Sequence, residues 1–326
     1  MVTQKKVYNM KDIAFVGIDT SNYTTSCAIA NSTGEILHNF KILLPVSEGE
    51  RGLRQSEAVF AHIKNLKLIS KMIKESGIDF EIAAIGYSAF PRDKQGSYMP
   101  CFLAGEAVAQ MISAFLSVDE YKFSHQSGHI RAAIYSSDAK IEQNFISFHV
   151  SGGTTEILKV EKTVNYYNIE QIGGSVDLHA GQAIDRVGVE MGLKFPCGRE
   201  MERLANDNDI KIPTPKICVN GFSCNLSGLE NLAIKLYEET DNKNLVCAYV
   251  FDFIGKTLEK ITENIRKEYP THPIVYAGGV MSNMIIQNRL KHKFENVYFA
   301  APEYSTDNAA GIALLTRDQY LNKGEK

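Results

Sequence analysis

The stretch IAFVGIDTSNYTTSCAIA, residues 13–30, decides the fold that this sequence predicts. An apolar run ends at Gly17 and Asp19, a polar turn follows, and a second alternating run passes through Cys27. Such an order is typical of two antiparallel strands joined by a short, hydroxyl-rich turn. The segment TGEILHNF, residues 33–40, predicts a third strand of the same meander.

The same pattern recurs in the second half of the chain. Residues 145–160, FISFHVSGGTTEILKV, again predict a strand, a turn of small residues and a strand. Two such hairpins indicate an internal duplication, because their separation is far longer than the period of a solenoid repeat. A third glycine turn lies in residues 273–290, where an apolar strand runs into Gly278 and Gly279 before an amphipathic helix. A last helix of about four turns is predicted over residues 308–321, packed on the first half.

The three turns are all suited to binding phosphate. In turns made of Gly, Ser and Thr, backbone N–H groups converge and the small side chains let an anion approach. A single tip of this kind is more often only a turn. Three in this order resemble the two phosphate loops and the adenosine loop of the actin/hexokinase (ASKHA) superfamily. The resemblance implies an α/β fold of two related lobes with a nucleotide cleft between them. The N-terminal lobe would span residues 12–130, completed by helix 308–322, and the C-terminal lobe residues 131–307.

Composition limits the class of protein. The chain has 326 residues, a net charge of -3 and a pI of about 6.3, so a nucleic-acid partner would need a local basic patch. The polar start predicts no signal peptide, and no apolar run approaches the roughly 20 residues of a membrane span. The six cysteines form no Cys-x-x-Cys pair, which predicts reduced thiols in a cytoplasmic protein.

A candidate metal site begins with His125 and His129 in SHQSGHIRAAIYSS. A spacing of four puts both imidazoles on one face of a helix, which suits a metal ion; the alternative is two ordinary polar residues at a helix start. Asp307, in YSTDNAAG, is the candidate third ligand, and its carboxylate could also cap the helix that follows. Two His and one carboxylate suit Fe(II), Zn or Mn.

Six motifs then occur in the order found in the TsaD family, whose members make threonylcarbamoyladenosine in tRNA. They are the His-x-x-Gly-His run, the Ser-Gly-Gly-Thr turn, GGSVDLHAGQAIDRVGVEMGLKFPCG, NLSGLENLA, YAGGVMSN and STDNAAGIALL. The resemblance covers nearly the whole chain. It implies transfer of a threonylcarbamoyl group from threonylcarbamoyl-adenylate to N6 of adenosine 37, in tRNAs that read codons starting with A.

The resemblance also implies site residues and partners. The metal ligands would be His125, His129 and Asp307. The substrate's phosphate and acyl end would lie against His149, Val150, Ser151, Gly152 and Gly153, and the rest of the adenylate against Asp185, Gly198 and Asn283. The implied ligands are one divalent metal, iron by resemblance with Zn or Mn as alternatives, and ATP or an acyl-adenylate. The implied partners are tRNA and either a second copy or related tRNA-modification subunits, with no membrane. No catalytic side chain is assigned, because the attacking amine belongs to the tRNA base.

Some positions depart from the family's pattern. The first turn of the family carries two acidic residues where this chain has Tyr23 and Thr24, and the family's Gly-Pro-Gly turn is missing from residues 88–99. Glu230 replaces a Lys, and Leu178 replaces the second Asp of a pair. These changes keep open a diverged ATP- and metal-binding paralogue with a regulatory or assembly role, another acyl transfer without tRNA chemistry, and a kinase or ATPase of the same superfamily. A zincin protease is excluded, because no His-Glu-x-x-His motif is present.

Overall fold

The computed structural model describes residues 13–21, 23–45, 53–77, 79–137, 139, 141, 143–163, 167–205 and 211–323. Asp12, where the first lobe is predicted to begin, and Asn22 of the first turn lie outside the described residues. The chain divides into two compact units. Unit 1 comprises Met1–Tyr135, Thr163–Asn168 and Asp307–Lys326, and unit 2 comprises Ser136–Lys162 and Ile169–Thr306.

Strands and helices alternate along most of the described chain. The strands are β1 (Ile13–Ser21), β2 (Thr24–Asn31), β3 (Ile36–Leu43), β4 (Glu81–Phe90), β5 (Asp119–Ser124), β6 (Phe145–Val150), β7 (Thr155–Lys162), β8 (Tyr167–Ser175), β9 (Cys218–Asn220), β10 (Ser223–Asn225), β11 (Ile274–Ala277) and β12 (Val297–Phe299). The α-helices are α1 (Gln55–Glu75), α2 (Phe102–Leu116), α3 (His125–Ser136), α4 (Ala180–Glu190), α5 (Gly198–Ala205), α6 (Ser227–Thr240), α7 (Lys243–Glu268), α8 (Met284–Lys293) and α9 (Ala310–Lys323). Short 3-10 turns cover Gly279–Ser282 and Pro302–Tyr304.

The sheet of unit 1 has the order β3-β2-β1-β4-β5. The predicted meander is confirmed, since β2 is antiparallel to both β1 and β3. β4 runs parallel to β1 and β5 runs parallel to β4. The carboxyl ends of β1, β4 and β5 therefore meet at one edge of the sheet, which is where open α/β sheets usually carry their binding sites.

The two faces of this sheet have different coverings. On one face, Ile18 and other apolar residues of β1 pack with Ile69 of α1 and Ala109 of α2. On the other face, Gly17 lies so close to α9 that a Cβ atom there would be 2.3 Å from the Ala313 backbone nitrogen. The predicted packing of the last helix on the first strands is thus confirmed, and glycine is required at position 17 by the close approach.

In helix α1, apolar residues recur at helical spacing at positions 59, 63, 66, 69 and 73, a pattern that predicts one buried face. Ile69 of this stripe is buried, but Ile63 is 57% exposed, whereas His62 and Asn65 are buried. The reason is a hydrogen-bonded cluster with Thr25 of β2. The Thr25 hydroxyl lies 2.9 Å from His62 Nδ1 and accepts a bond of 3.1 Å from Asn65 Nδ2. A polar contact therefore sets the rotation of the helix.

Unit 2 contains a second sheet, with the order β12-β11-β6-β7-β8-β10-β9. β6 and β7 form the predicted hairpin, because they are antiparallel around the Ser-Gly-Gly-Thr turn. β11 runs parallel to β6 and ends at Ala277, directly before Gly278, as the third predicted turn requires. The core of the unit gathers around α7, a helix of 26 residues.

Two predictions from the sequence concern the cysteines and the possibility of a membrane-spanning helix. All six cysteines are free thiols, in agreement with the absence of a Cys-x-x-Cys pair. The described helices include none that combines the length and the apolar character needed to cross a bilayer. Most of the thiols are buried, and burial alone raises the pKa of Cys27 to about 12, so that this thiol stays protonated.

Asp177 fastens the start of α6. Its carboxylate accepts hydrogen bonds from the Leu226 nitrogen at 2.8 Å, from the Ser227 nitrogen at 3.2 Å and from the Ser227 hydroxyl at 2.7 Å. Burial opposes the charge, but these bonds outweigh it and hold the pKa of Asp177 well below its ordinary value. The remaining Asp of the family's pair therefore has a structural role in this chain.

We expect Asp177→Asn to destabilise the protein by about 1 kcal/mol at neutral pH, because the amide keeps one acceptor oxygen but loses the charge and the second acceptor. Because the pKa of Asp177 is lowered in the folded state, the contribution of its charge is fully present above the unfolded pKa of about 3.9 and is lost progressively as the pH falls from that value toward the folded pKa. Urea unfolding at pH 7 and at pH 3 measures the difference. An equal gap between variant and parent at both pH values would contradict this account.

Candidate functional site

A cluster of three side chains lies at the carboxyl edge of the unit 1 sheet. His125 and His129 occupy the first turn of α3, directly after β5, and their Nε2 atoms are 2.9 Å apart. Asp307 Oδ1 lies 3.5 Å from His125 Nε2 and 3.3 Å from His129 Nε2. One ligand atom from each residue falls within 4.8 Å of the others. The structure thus brings the three predicted ligands together, in an arrangement that could hold one divalent cation.

Asp307 reaches the histidines because its neighbour performs the capping. The sequence suggested that Asp307 could cap the last helix, but Asn308 Oδ1 accepts the bond from the Ala310 nitrogen, at 3.0 Å. Helix α9 also touches α3 backbone to backbone, since a Cβ atom on Gly311 would lie 1.8 Å from the Gly128 oxygen. This contact brings the start of α9 beside the first turn of α3, where the histidines are.

Asp19 supports the cluster, and reasoning from the sequence did not assign it a role. It is only 1% exposed, and its Oδ2 atom lies 2.6 Å from His125 Nδ1. Its other oxygen accepts a bond from the Ser21 nitrogen at 2.8 Å. A carboxylate on Nδ1 fixes the orientation and tautomer of a histidine and leaves Nε2 for a metal. The available signal was an Asp at the end of an otherwise apolar strand.

The charges of the cluster are strongly coupled. Burial opposes protonation of His125, but the carboxylates of Asp19 and Asp307 outweigh it and raise the pKa of His125 to about 10. Burial would raise the pKa of Asp307, yet its contacts with the two histidines hold that pKa below its ordinary range. A proton on His125 therefore balances the buried carboxylates, and a divalent cation would displace that proton on binding.

The predicted phosphate turn of unit 2 has an open backbone. His149 and Val150 end β6, and the turn closes with a bond of 2.7 Å from the Ser151 nitrogen to the Thr154 oxygen. Apart from the adjacent residues of the chain, no heavy atom of the described residues lies within 4 Å of the position that a Cβ would take on Gly152 or Gly153. An anion could therefore approach the backbone of these two glycines closely.

Two further segments of unit 2 pack against this turn. The Gly181 nitrogen, in the first turn of α4, donates to the Ser151 oxygen at 3.1 Å. A Cβ atom on Gly278, just after β11, would lie 2.3 Å from the Val150 oxygen. The phosphate turn, the start of α4 and the end of β11 are thus neighbours. A helix N-terminus beside the turn adds a partial positive charge that favours a phosphate.

We expect Gly181→Ala to weaken nucleotide binding at least about tenfold and to cost about 1–3 kcal/mol of stability, as overpacking does. The new methyl group would lie 2.6 Å from the Gly152 Cα atom and would push the phosphate turn out of place. Calorimetric titration with AMP and ATP measures the change. Gly228→Ala is the matched control, because outside its own helix backbone the described part of the chain has no heavy atom within 4 Å of the added Cβ. Parent-like affinity of the Gly181 variant would contradict the placement of the phosphate.

The residues predicted for the ribose side lie further along the same unit. Asp185, one turn after Gly181 in α4, accepts a bond of 2.8 Å from the Cys197 nitrogen, directly before Gly198. Burial raises the pKa of Asp185 despite that bond. Asn283 is 6% exposed, and its side-chain oxygen caps α8 through the Ile286 nitrogen at 3.0 Å. The contacts of Asp185, Gly198 and Asn283 with a nucleotide remain predictions.

Two departures from the family's pattern have visible structural consequences. Glu230, where the family has Lys, forms an ion pair of 3.0 Å with Arg186 and so links α6 to α4. Tyr23, where the family has an acidic residue, is 43% exposed in the turn between β1 and β2. His179, which follows Leu178, directly precedes α4 as a polar residue at the start of the helix.

Comparison with known proteins agrees with these features. The family model described as tRNA N6-adenosine threonylcarbamoyltransferase, TsaD, matches residues 46–314. A protein of that name from Christiangramia forsetii is 29% identical over 332 residues, covering 95% of this chain and 94% of the relative. Another, from Methanopyrus kandleri, is 27% identical over 307 residues, covering 91% of this chain and 85% of the relative.

Solved structures show the fold class. A ROK family glucokinase from Streptomyces griseus, in complex with glucose and AMPPNP, has a TM-score of 0.51 at 11% identity, covering 93% of this chain and 99% of that one. Component A of the (R)-2-hydroxyglutaryl-CoA dehydratase from Acidaminococcus fermentans has a TM-score of 0.54 at 16% identity, covering 95% and 99%. The predicted actin/hexokinase-like α/β fold is therefore confirmed. Since the family model spans most of the sequence, the chain belongs to the TsaD family of tRNA N6-adenosine threonylcarbamoyltransferases.

Proposed function

We propose that this chain is a metal-assisted acyltransferase that moves a threonylcarbamoyl group from threonylcarbamoyl-adenylate to N6 of adenosine 37 in tRNA. Membership of the TsaD family names the reaction. The observation that carries the proposal is the cluster of His125, His129 and Asp307, with Asp19 holding His125 in place. The family model and the curated relatives favour this function over the alternative of a regulatory paralogue.

The cluster would supply the metal site. Two imidazole nitrogens and one carboxylate oxygen suit Fe(II), the metal that the family resemblance implies, and also Zn or Mn. A cation bound there would polarise a carbonyl oxygen of the substrate and neutralise charge on the leaving phosphate. Asp19 contributes by keeping the His125 proton on Nδ1, so that Nε2 presents a lone pair to the metal.

Residues of unit 2 would bind the adenylate. The backbone from His149 to Gly153 is suited to the phosphate and the acyl end, because Gly152 and Gly153 leave the turn open. Asp185 is suited to the ribose, since a carboxylate has about four acceptor positions and, among the described residues, the Cys197 nitrogen makes the one hydrogen bond that its side chain accepts. Gly198 and Asn283 complete the proposed nucleotide contacts.

The acceptor needs no nucleophile from the protein, because the attacking amine belongs to the tRNA base. The two acidic positions of the family's first turn, Tyr23 and Thr24 here, cannot supply a carboxylate base. Asp19 and Asp307 are the carboxylates of the described cluster. We further propose that the chain works as a homo-oligomer or with related tRNA-modification subunits.

The direct test is a transfer assay. Metal-loaded protein, its candidate partner subunits, synthetic threonylcarbamoyl-adenylate and unmodified tRNA are incubated, and the digested nucleosides are analysed by mass spectrometry. We expect threonylcarbamoyladenosine to form with an A37 tRNA and not with the same tRNA carrying G37. Failure to modify A37 in the presence of metal and partners would exclude this function and leave the regulatory paralogue.

A further inference from the structure

A cavity of about 410 Å³ lies within unit 1, between the sheet and the helices α1 and α2. One wall includes Val16 and Ile18 of β1 together with Ile29 of β2, and the opposite wall includes Ile73 of α1 and Ile112 of α2. Protein interiors contain few voids larger than a water molecule, whereas ligand pockets have volumes of about 300–1,000 Å³. The cavity therefore has the size of a ligand pocket.

The polar contacts of α1 account for the position of this cavity. His62 and Asn65 hold the helix against Thr25 of β2 through hydrogen bonds of 2.9 and 3.1 Å. In this helix, whose residues are all described, no residue after Ile69 is buried. The cavity lies under the part of the helix that carries Ile73. The helix is thus fixed to the sheet at one end, and the space under its other end stays open.

The cavity and the metal cluster lie on opposite faces of the sheet. Val16 and Ile18 line the cavity, whereas Asp19, the next residue of the strand, reaches His125. Successive side chains of a strand point to opposite faces. A ligand in the cavity would therefore leave the proposed transfer site unoccupied.

The polar side chains of the lining are concentrated at the mouth of the cavity. Ser70 and Lys74 of α1 belong to the lining and are exposed, whereas Cys27, which contributes a thiol, is 3% exposed. The remaining lining residues are apolar or glycine. The cavity thus combines an apolar interior with a hydroxyl and an ammonium group at its mouth.

The ammonium group of Lys74 is available to a ligand. Within the described residues Lys74 forms no ion pair, because the neighbouring carboxylate of Glu75 pairs with Lys71 at 3.6 Å. A lysine has three donors and no acceptor, so its preferred partner is an anion. A molecule that fits both the mouth and the interior therefore has an anionic head and an apolar chain.

The length of the cavity limits the length of that chain. The lining follows β1 from Ala14 to Ile18, four residue steps or about 13 Å, which an extended chain of about ten carbons would span. We propose that this cavity binds a free medium-chain fatty acid, with its carboxylate at Lys74 and its chain along β1. This binding site goes beyond the proposed transfer reaction, which has no need of such a ligand.

Titration calorimetry of metal-loaded protein with decanoate tests the proposal. We expect saturable binding of one decanoate per chain. Octanoate should bind about fifteenfold more weakly, because each methylene group removed from water contributes about fourfold in affinity. Failure of the parent protein to bind decanoate, or equal affinity for the two chain lengths, would overturn the proposal.

The uncharged analogue 1-decanol tests the role of the ammonium group. We expect Lys74→Gln to weaken decanoate binding about tenfold, the range of a charge-assisted contact, and to leave 1-decanol binding unchanged. Lys71→Gln is the matched control, since Lys71 is exposed in the same helix and pairs with Glu75; it should bind both molecules as the parent does. Equal decanoate affinity of the Lys74 variant and the parent would overturn the assignment of the carboxylate.

Filling the cavity tests its position. We expect Val108→Phe, which adds a ring from the α2 side of the lining, to keep or raise the Tm and to abolish binding of both decanoate and 1-decanol. Met111→Phe is the matched control, because Met111 is 62% exposed in the same helix, and this variant should bind as the parent does. Undiminished decanoate binding by a folded Val108 variant would show that the molecule binds elsewhere and would overturn the proposal.

Discussion

Removal of one metal ligand is expected to have the largest effect on this protein. We expect His129→Ala to lose its metal on purification and to reduce transfer to tRNA by roughly three orders of magnitude, because a catalytic cation supplies several kcal/mol of charge stabilisation. His129 Nε2 lies 3.3 Å from Asp307 Oδ1 and 2.9 Å from His125 Nε2, so no remaining pair of ligands encloses the ion as the three do.

Metal content by mass spectrometry and single-turnover transfer rates measure this effect. His292→Ala is the matched control, since His292 is exposed in α8 and belongs to the other unit. A folded His129 variant that keeps one metal per chain would show that the cluster is not the metal site. A variant that loses the metal and keeps its rate would instead show that the metal has no part in the transfer.

The second large effect is expected from Asp19→Asn. An amide on His125 Nδ1 cannot hold the imidazole as a carboxylate does, and loss of such an outer partner typically costs 10- to 100-fold in metal affinity. The pKa of His125 should also fall from about 10, because the Asp19 carboxylate is the strongest of the groups that raise it. Competition with a chelator measures the affinity, and NMR titration of metal-free protein measures the pKa.

A control and a rescue make the Asp19 experiment specific. Asp318→Asn removes a carboxylate of the same unit that pairs with Arg131 at 2.9 Å, and it should leave metal affinity unchanged. Asp19→Glu keeps a carboxylate at this position and should recover part of the affinity. If Asp19→Asn binds metal as tightly as the parent does, Asp19 only fills space in the sheet.

Much of the fold followed from local patterns. Both strand–turn–strand hairpins, the glycine turn after β11 and the last helix lie where periodicity and turn residues predicted them. Such features depend on interactions between near neighbours in sequence, which a single chain displays directly. The rotation of α1 did not follow from such patterns. Its buried His62 and Asn65 are polar, and they make hydrogen bonds with Thr25, some 40 residues away in the chain.

The candidate site likewise combines features that the sequence predicted with one that depends on the tertiary structure. The spacing of His125 and His129 predicted a pair of ligands, since residues four apart share one helical face. The sequence also offered Asp307 as the candidate third ligand, and the contact between α9 and α3 brings its carboxylate within 3.5 Å of both histidines. No local pattern predicted that Asn308 would take over the capping, which leaves the Asp307 carboxylate available.

Strand β1 illustrates what the sequence decides and what the tertiary structure decides. By itself, the sequence determined that residues 13–30 form a hairpin with a polar turn, because alternation and turn chemistry are local properties. Only the tertiary structure decided that Asp19 supports His125. This contact joins β1 with α3, and the distance between two such elements is set by packing and register, which no stretch of sequence contains.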